Sequence, residues 1–142
     1  MTAEHQRDWD RGNSREAEGL RDLQRAQRDL VRYSAAVVEA QDKRDTSMSR
    51  AENAQSSFES LTSRPFFTDA GDARDWAKQV EEVAKDWERF EERSEEGAKE
   101  LRRAQRRQAN AQEAVDVAQA KIDEGRAMMA DAERASQRQA RR

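Results

Sequence analysis

Apolar residues recur at alternating spacings of three and four along two runs of the chain. The later run pairs Ala73/Trp76, Val80/Val83, Trp87/Phe90, Ser94/Gly97, Leu101/Ala104, Gln108/Ala111, Val115/Ala118, Ile122/Gly125, Met129/Ala132 and Ser136/Gln139, and sixteen of these twenty positions are apolar or glycine. The earlier run pairs Trp9/Gly12, Glu16/Gly19, Leu23/Ala26, Leu30/Tyr33, Val37/Ala40, Arg44/Ser47, Ala51/Ala54 and Phe58/Leu61. Such spacing lays a narrow seam along one side of a helix, so each run predicts a helix in need of a partner. The expected fold class is all-α: a long antiparallel two-helix hairpin forming a coiled coil. The boundaries expected are helix one over about 9–63, a turn at 64–71 and helix two over about 72–136, in a single unit spanning 1–142 with frayed ends.

The break between the runs follows from local chemistry. Pro65 is the only proline, and the residue before a proline is pushed out of the helical region, so helix one should stop near Ser63. Asp72 then predicts an N-cap for helix two, with Asp75 near the positive helix end, while Thr68 offers an earlier cap. At 1.5 Å per residue the arms are expected to run roughly 80 to 95 Å. Folding back about the turn pairs positions whose numbers sum to about 135, to within a turn. That register sets Trp9 near Ile122 to Arg126, Gly19 near Val115 to Ala118, and Arg44 near Trp87, Phe90 and Glu91. Small seam residues, Gly12, Gly19, Gly97 and Gly125 among them, predict close backbone approach with large neighbours filling the gaps.

Composition narrows the class. Of 142 residues, 35% are hydrophobic and 40% charged, too few apolar side chains for a wide core. Low hydrophobicity and high charge also mark disordered chains, but a disordered segment has no reason to hold a heptad phase. Net charge is only -3, with 27 basic against 30 acidic side chains, so no global field draws the chain to nucleic acid or an acidic membrane. No apolar stretch has the length of a signal or a membrane span, and no cysteine is present. These features predict a cytoplasmic protein without membrane insertion, or one exported without a leader or built into a virion. The arginine-over-lysine bias points to a bacterial source with a GC-rich genome.

Catalytic material is sparse. His5 is the only histidine and lies near the N-terminus, and the five glycines are scattered rather than gathered into a phosphate loop. The expectation is no enzyme, no cofactor, no metal and no small-molecule substrate. Three features suggest partners instead. Phe66 and Phe67 at the turn, followed by Trp76, form either an end plug against Leu61 or an exposed binding tip. The run Arg102, Arg103, Arg106 and Arg107 is expected beside Arg25, Arg28 and Arg32, with local pairs to Asp22, Asp29 and Glu100. It reads either as a solvated face or as a dock for an acidic partner, including the Glu81 to Glu96 block of another copy. Nucleic acid is disfavoured there, because a net basic surface and exposed stacking aromatics are both missing. Finally, Leu20, Val31, Ala35, Val38 and Met48 fall off the seam of helix one, and a lone hairpin cannot cover a second stripe. They predict a homo-oligomer, dimerising into a four-helix bundle, or a helical hetero-partner.

In outline the hairpin resembles two bacterial groups. One is the WXG100 family of small type VII secretion substrates, helical hairpins that pair into four-helix bundles with a Trp-x-Gly at the turn. Here the turn runs from Arg64 to Trp76 with Gly71 ahead of the tryptophan, and no Tyr-x-x-x-Asp/Glu export signal follows. The other is the stalk or escort hairpin of type III and flagellar export, whose members tend to be basic. Both likenesses are of topology alone. They imply a secretion substrate or escort, beside the broader expectation of a non-catalytic structural or adaptor protein in a bacterial assembly such as a secretion machine or phage particle.

Overall fold

The computed structural model describes residues 1–63 and 66–142, so Arg64 and Pro65, on which the expected break turns, lie outside the described residues. Two helices account for nearly all the rest: α1 is Ala3–Thr62, with 60 residues, and α2 is Ala70–Ala140, with 71. They pack against each other as a helical hairpin, and no strand occurs among the described residues.

Both helices begin earlier than the sequence pattern indicates, each for a visible capping reason. The Thr2 hydroxyl accepts the His5 amide at 3.3 Å, which satisfies one of the free N–H groups of the first turn and starts α1 at Ala3 rather than near Trp9. Asp69, not Asp72, caps α2: its carboxylate accepts the Asp72 amide at 2.8 Å. Asp72 in turn accepts the Thr68 hydroxyl at 3.0 Å. At the far end of α1 the Thr62 and Ser63 hydroxyls bond back to the carbonyls of Phe58 and Ser60 at 2.8 Å each, adding side-chain donors to the last turns.

Burial follows the seam. All sixteen α1 seam positions are buried or half-buried, and of the twenty on α2 only Gln139 is exposed. The fully buried residues are chiefly the small ones, Ala26, Ala40, Ala104, Ala111, Ala118 and Ala132, with Leu101 and Ile122 as the large exceptions. Two helices can enclose a small side chain lying near the line between their axes, whereas a tryptophan or phenylalanine extends past that line into solvent. Trp9, Trp76, Trp87, Phe58 and Phe90 are accordingly half-buried.

Contacts divide the chain into two units, one of Met1–Ser34 with Arg106–Arg142 (the end unit) and one of Ala35–Gln105 (the turn unit). In the end unit the backbones meet at glycine. A Cβ on Gly125 would stand 2.5 Å from both the Glu16 amide nitrogen and the Gly12 carbonyl oxygen, and one on Gly19 would stand 2.8 Å from Ile122 Cγ1. In the turn unit Gly97 faces Arg44 less tightly, 3.1 Å from its Cα. The rings of Phe58 and Trp87 pack there with centroids 5.6 Å apart.

These contacts correct the expected register. Opposed numbers sum to about 141 rather than 135, as Gly19 with Ile122 and Gly97 with Arg44 show. Trp9 consequently reaches Glu133, donating its Nε1 proton at 3.2 Å, and not the stretch 122–126. Arg44 bonds its neighbour Asp45 at 2.9 Å, while Arg50 and Arg93 take the places over the Phe90 ring, each 5.8 Å from its centroid. At the start of α2, Trp76 packs on connector residue Phe67, centroids 5.0 Å apart, and reaches α1 at Leu61.

Candidate functional site

Among the aromatic residues at the turn, the structure separates two that the sequence presents as a pair. Phe67 packs on Trp76, whose indole nitrogen donates to the Leu61 carbonyl at 2.7 Å, so these two tie the connector to the end of α1. Phe66 is 89% exposed. The two phenylalanines thus differ: Phe67 packs on Trp76 while still 38% exposed, and Phe66 stands outside that contact.

The off-seam stripe on α1 is uncovered. Val31 is 72% exposed, Val38 58%, Leu20 46% and Met48 44%. Each follows from the heptad: a residue one step outside the seam of a two-helix contact points past the partner helix. Val117 on α2 is also exposed, a surface residue that the seam reading passes over.

The arginine run is not where the sequence register sets it. Gln108 donates to the Ser34 hydroxyl at 3.1 Å, and Lys43 bonds Glu100 at 3.2 Å. With Gln108 opposite Ser34, Arg106 and Arg107 lie beyond the last α1 residues of the end unit rather than beside Arg25, Arg28 and Arg32. Two of the carboxylates expected to neutralise them are engaged elsewhere, Asp22 by Lys121 and Glu100 by Lys43. All four arginines are exposed, and no ion pair to them occurs among the described residues.

Charge in the end unit is organised across the helices. Lys121 bonds Asp22 at 2.8 Å and Glu18 at 3.3 Å, Arg15 meets Glu124 at 3.2 Å and Arg126 meets Glu16 at 2.8 Å. The Lys121 hydrogen bond holds the Asp22 carboxyl below its ordinary value, and the bonds to Asp22 and Glu18 raise Lys121 above its own. Asp22 is therefore an ionised anchor for a lysine and a poor proton donor near neutrality. Beside it runs a groove of about 450 Å³, open to solvent and lined by Asp22, Arg25, Asp29, Glu113 and Val117 among others. His5 is half-buried with an unpartnered Nδ1, in a separate groove with Ala135, Arg138 and Gln139. No cluster of His, Cys, Asp and Glu suited to a metal ion occurs among the described residues. Nor is any described helix long and apolar enough to cross a membrane.

Exposed large apolar side chains thus occur on α1 in each unit, Leu20 and Val31 in one and Val38 and Met48 in the other, beside the exposed Phe66. No protein-family model, curated protein or solved structure matches this chain.

Proposed function

We propose that the chain is a non-catalytic coiled-coil protein that acts by binding other proteins, as a structural or adaptor component of a cytoplasmic bacterial assembly such as a secretion machine or a phage particle. The supporting observation is the exposure of Leu20, Val31, Val38 and Met48 along α1, outside the contact between the two helices. Four large apolar side chains on one long helix are an unmet demand for burial, and at ~25 cal/mol per Å² a second helical surface laid on them gains affinity without any new chemistry. Pairing with another hairpin would complete a four-helix bundle.

The test is affinity capture from a bacterial host with the wild-type chain and with a V31K/V38K variant. Because both positions are exposed, circular dichroism of the variant should match the wild type. Specific association, with itself or with a helical protein, should be present for the wild type and lost for the variant. A wild-type chain that captures nothing and sediments as a single chain at tens of micromolar overturns the reading.

A further inference from the structure

The two units differ in charge. The end unit carries 15 basic and 13 acidic side chains, a net of +2, and the turn unit 12 basic and 17 acidic, a net of -5. The modest total of -3 therefore hides units of opposite sign.

In the end unit the basic side chains form a row. Arg21, Arg25, Arg28 and Arg32 follow one another on α1 at steps of four, three and four, which sets them along one narrow stripe of the helix. All four are exposed, and none forms an ion pair among the described residues. Arg32 reaches only the ring of its neighbour Tyr33, 5.8 Å from the centroid. The carboxylates around the row leave it unquenched. Of the two aspartates interleaved with it, Asp22 is taken by Lys121 and Asp29 makes no pair. Across the hairpin, between Gln108, which meets Ser34, and Ile122, which meets Gly19, α2 supplies Glu113 and Asp116, and Asp116 already accepts a bond from Gln112 at 3.2 Å.

The turn unit has the opposite row on α2. Glu88, Glu91, Glu92, Glu95 and Glu96 are all exposed and unpaired among the described residues. Glu88, Glu92 and Glu95 repeat the step of four and then three that Arg21, Arg25 and Arg28 make, so three carboxylates stand in a stripe of the same geometry. The α1 stretch opposite runs between Arg44, which meets Gly97, and Phe58, which meets Trp87. It holds one basic residue, Arg50, whose guanidinium lies over the Phe90 ring. Of the cations interleaved with the carboxylates, Arg93 lies over the same ring and Arg89 bonds Asp86 at 2.6 Å.

Resting on the reading of the chain as a protein-binding hairpin, we propose that these rows bind each other between copies: the arginine row in the end unit of one chain docks on the glutamate row in the turn unit of another. Each row lies wholly within one unit, so the contact requires no particular arrangement of the two units in a chain. A single exposed pair contributes little, but several pairs along matched stripes act together and select the partner by sign. Like rows repel, so end does not join end and turn does not join turn. The partner is a second copy because the chain itself supplies an unpaired counter-row of matching step.

The test exchanges the charges. In R21E/R25E/R28E both stripes are predominantly acidic, and in E88R/E92R/E95R both are basic, so neither variant alone has complementary rows, whereas an equal mixture of the two does. Sedimentation at tens of micromolar in about 0.1 M salt should show the wild type larger than one chain, each variant as a single chain, and association restored in the mixture. Raising the salt to about 1 M shortens the screening length from about 10 Å to about 3 Å and should weaken the wild-type association by about tenfold or more. The positions are exposed, so circular dichroism of both variants should match the wild type. If charge reversal unfolds the hairpin, R21Q/R25Q/R28Q takes its place and should lose the association while staying helical.

A wild type that sediments as a single chain in about 0.1 M salt overturns the proposal, as does a mixture that stays dissociated while both variants are helical. Retention of a short DNA duplex by the wild type, lost in R21E/R25E/R28E and without self-association, assigns the arginine row to nucleic acid and overturns it too. Capture of a different helical protein through Val31 and Val38, read at about 1 M salt where the charge contact is screened, stands apart from all three results, so failure of this contact and failure of the protein-binding reading are distinguishable.

Discussion

In the end unit the helices meet at Gly12, Gly19 and Gly125, so closely that a Cβ on Gly125 would fall 2.5 Å from backbone atoms, and cross-helix ion pairs flank the contact. In the turn unit the corresponding work is done by rings: Phe58 on Trp87, Phe67 on Trp76, and Arg50 and Arg93 over Phe90. The heptad spacing is the same throughout. What differs is how the space between two helices is filled, and the contrast shows that one period admits two packings with different sensitivities. A glycine contact fails when something is added. An aromatic contact fails when something is removed.

The largest expected effect comes from adding bulk to the end unit. G125V drives a branched side chain into the Glu16 amide and the Gly12 carbonyl, and because backbone cannot rotate away the cost should be about 3 kcal/mol, the upper part of the range for overpacking. Hydrogen exchange should rise around residues 9–26 and 111–132. In the turn unit G97A meets Arg44 at 3.1–3.3 Å, and alanine gains about 0.8 to 1 kcal/mol of helix propensity over glycine, so its melting temperature should fall far less than that of G125V. Equal losses from both substitutions would erase the distinction between the units.

Removing bulk reverses the comparison. W87A in the turn unit deletes a half-buried ring from its contact with Phe58 and should cost about 2 kcal/mol, less than the 3 kcal/mol or more of a fully buried aromatic. Smaller again is the connector. F67S removes the Phe67–Trp76 contact and should lower stability by about 1 kcal/mol, while F66S, at a residue 89% exposed, should leave the melting curve where it is. Partner binding measured on the same two variants separates plug from tip: a loss with F66S alone assigns the exposed phenylalanine to binding.

The smallest effect is electrostatic and confined to the end unit. K121M removes the bonds to Asp22 and Glu18, groups open to solvent, so the drop in melting temperature should be slight and should shrink with added salt. Its pH dependence has a definite sign. Asp22 is held below its ordinary value by Lys121, so its contribution is present above the unfolded aspartate value and lost as pH falls through the folded one. Lys121 is raised by Asp22 and Glu18, so its contribution is present below the unfolded lysine value and lost as pH rises through the folded one. The difference between wild type and K121M should therefore be level across neutral pH and close at both extremes. A difference that grows on acidification would mean that Asp22 and Lys121 are not coupled.

The sequence by itself determined that the chain is helical, that a break falls in the sixties, and which face of each helix is covered. Those properties depend on periodicity, and a 3.6-residue helix converts spacing into direction without reference to anything else. It also marked Leu20, Val31, Val38 and Met48 as exposed, by the same rule. It did not determine register. Sliding one helix past another by a turn and a half leaves each residue on its own face, so the pattern of apolar positions is nearly indifferent to the slide, and the choice falls to contacts between residues far apart in number. The Phe67–Trp76 contact beside the connector, the glycine approaches and the Lys43–Glu100 and Lys121–Asp22 pairs all belong to the tertiary structure. They moved Arg106 and Arg107 away from Arg25, Arg28 and Arg32, returned Arg44 to its neighbour Asp45, and divided Phe66 from Phe67.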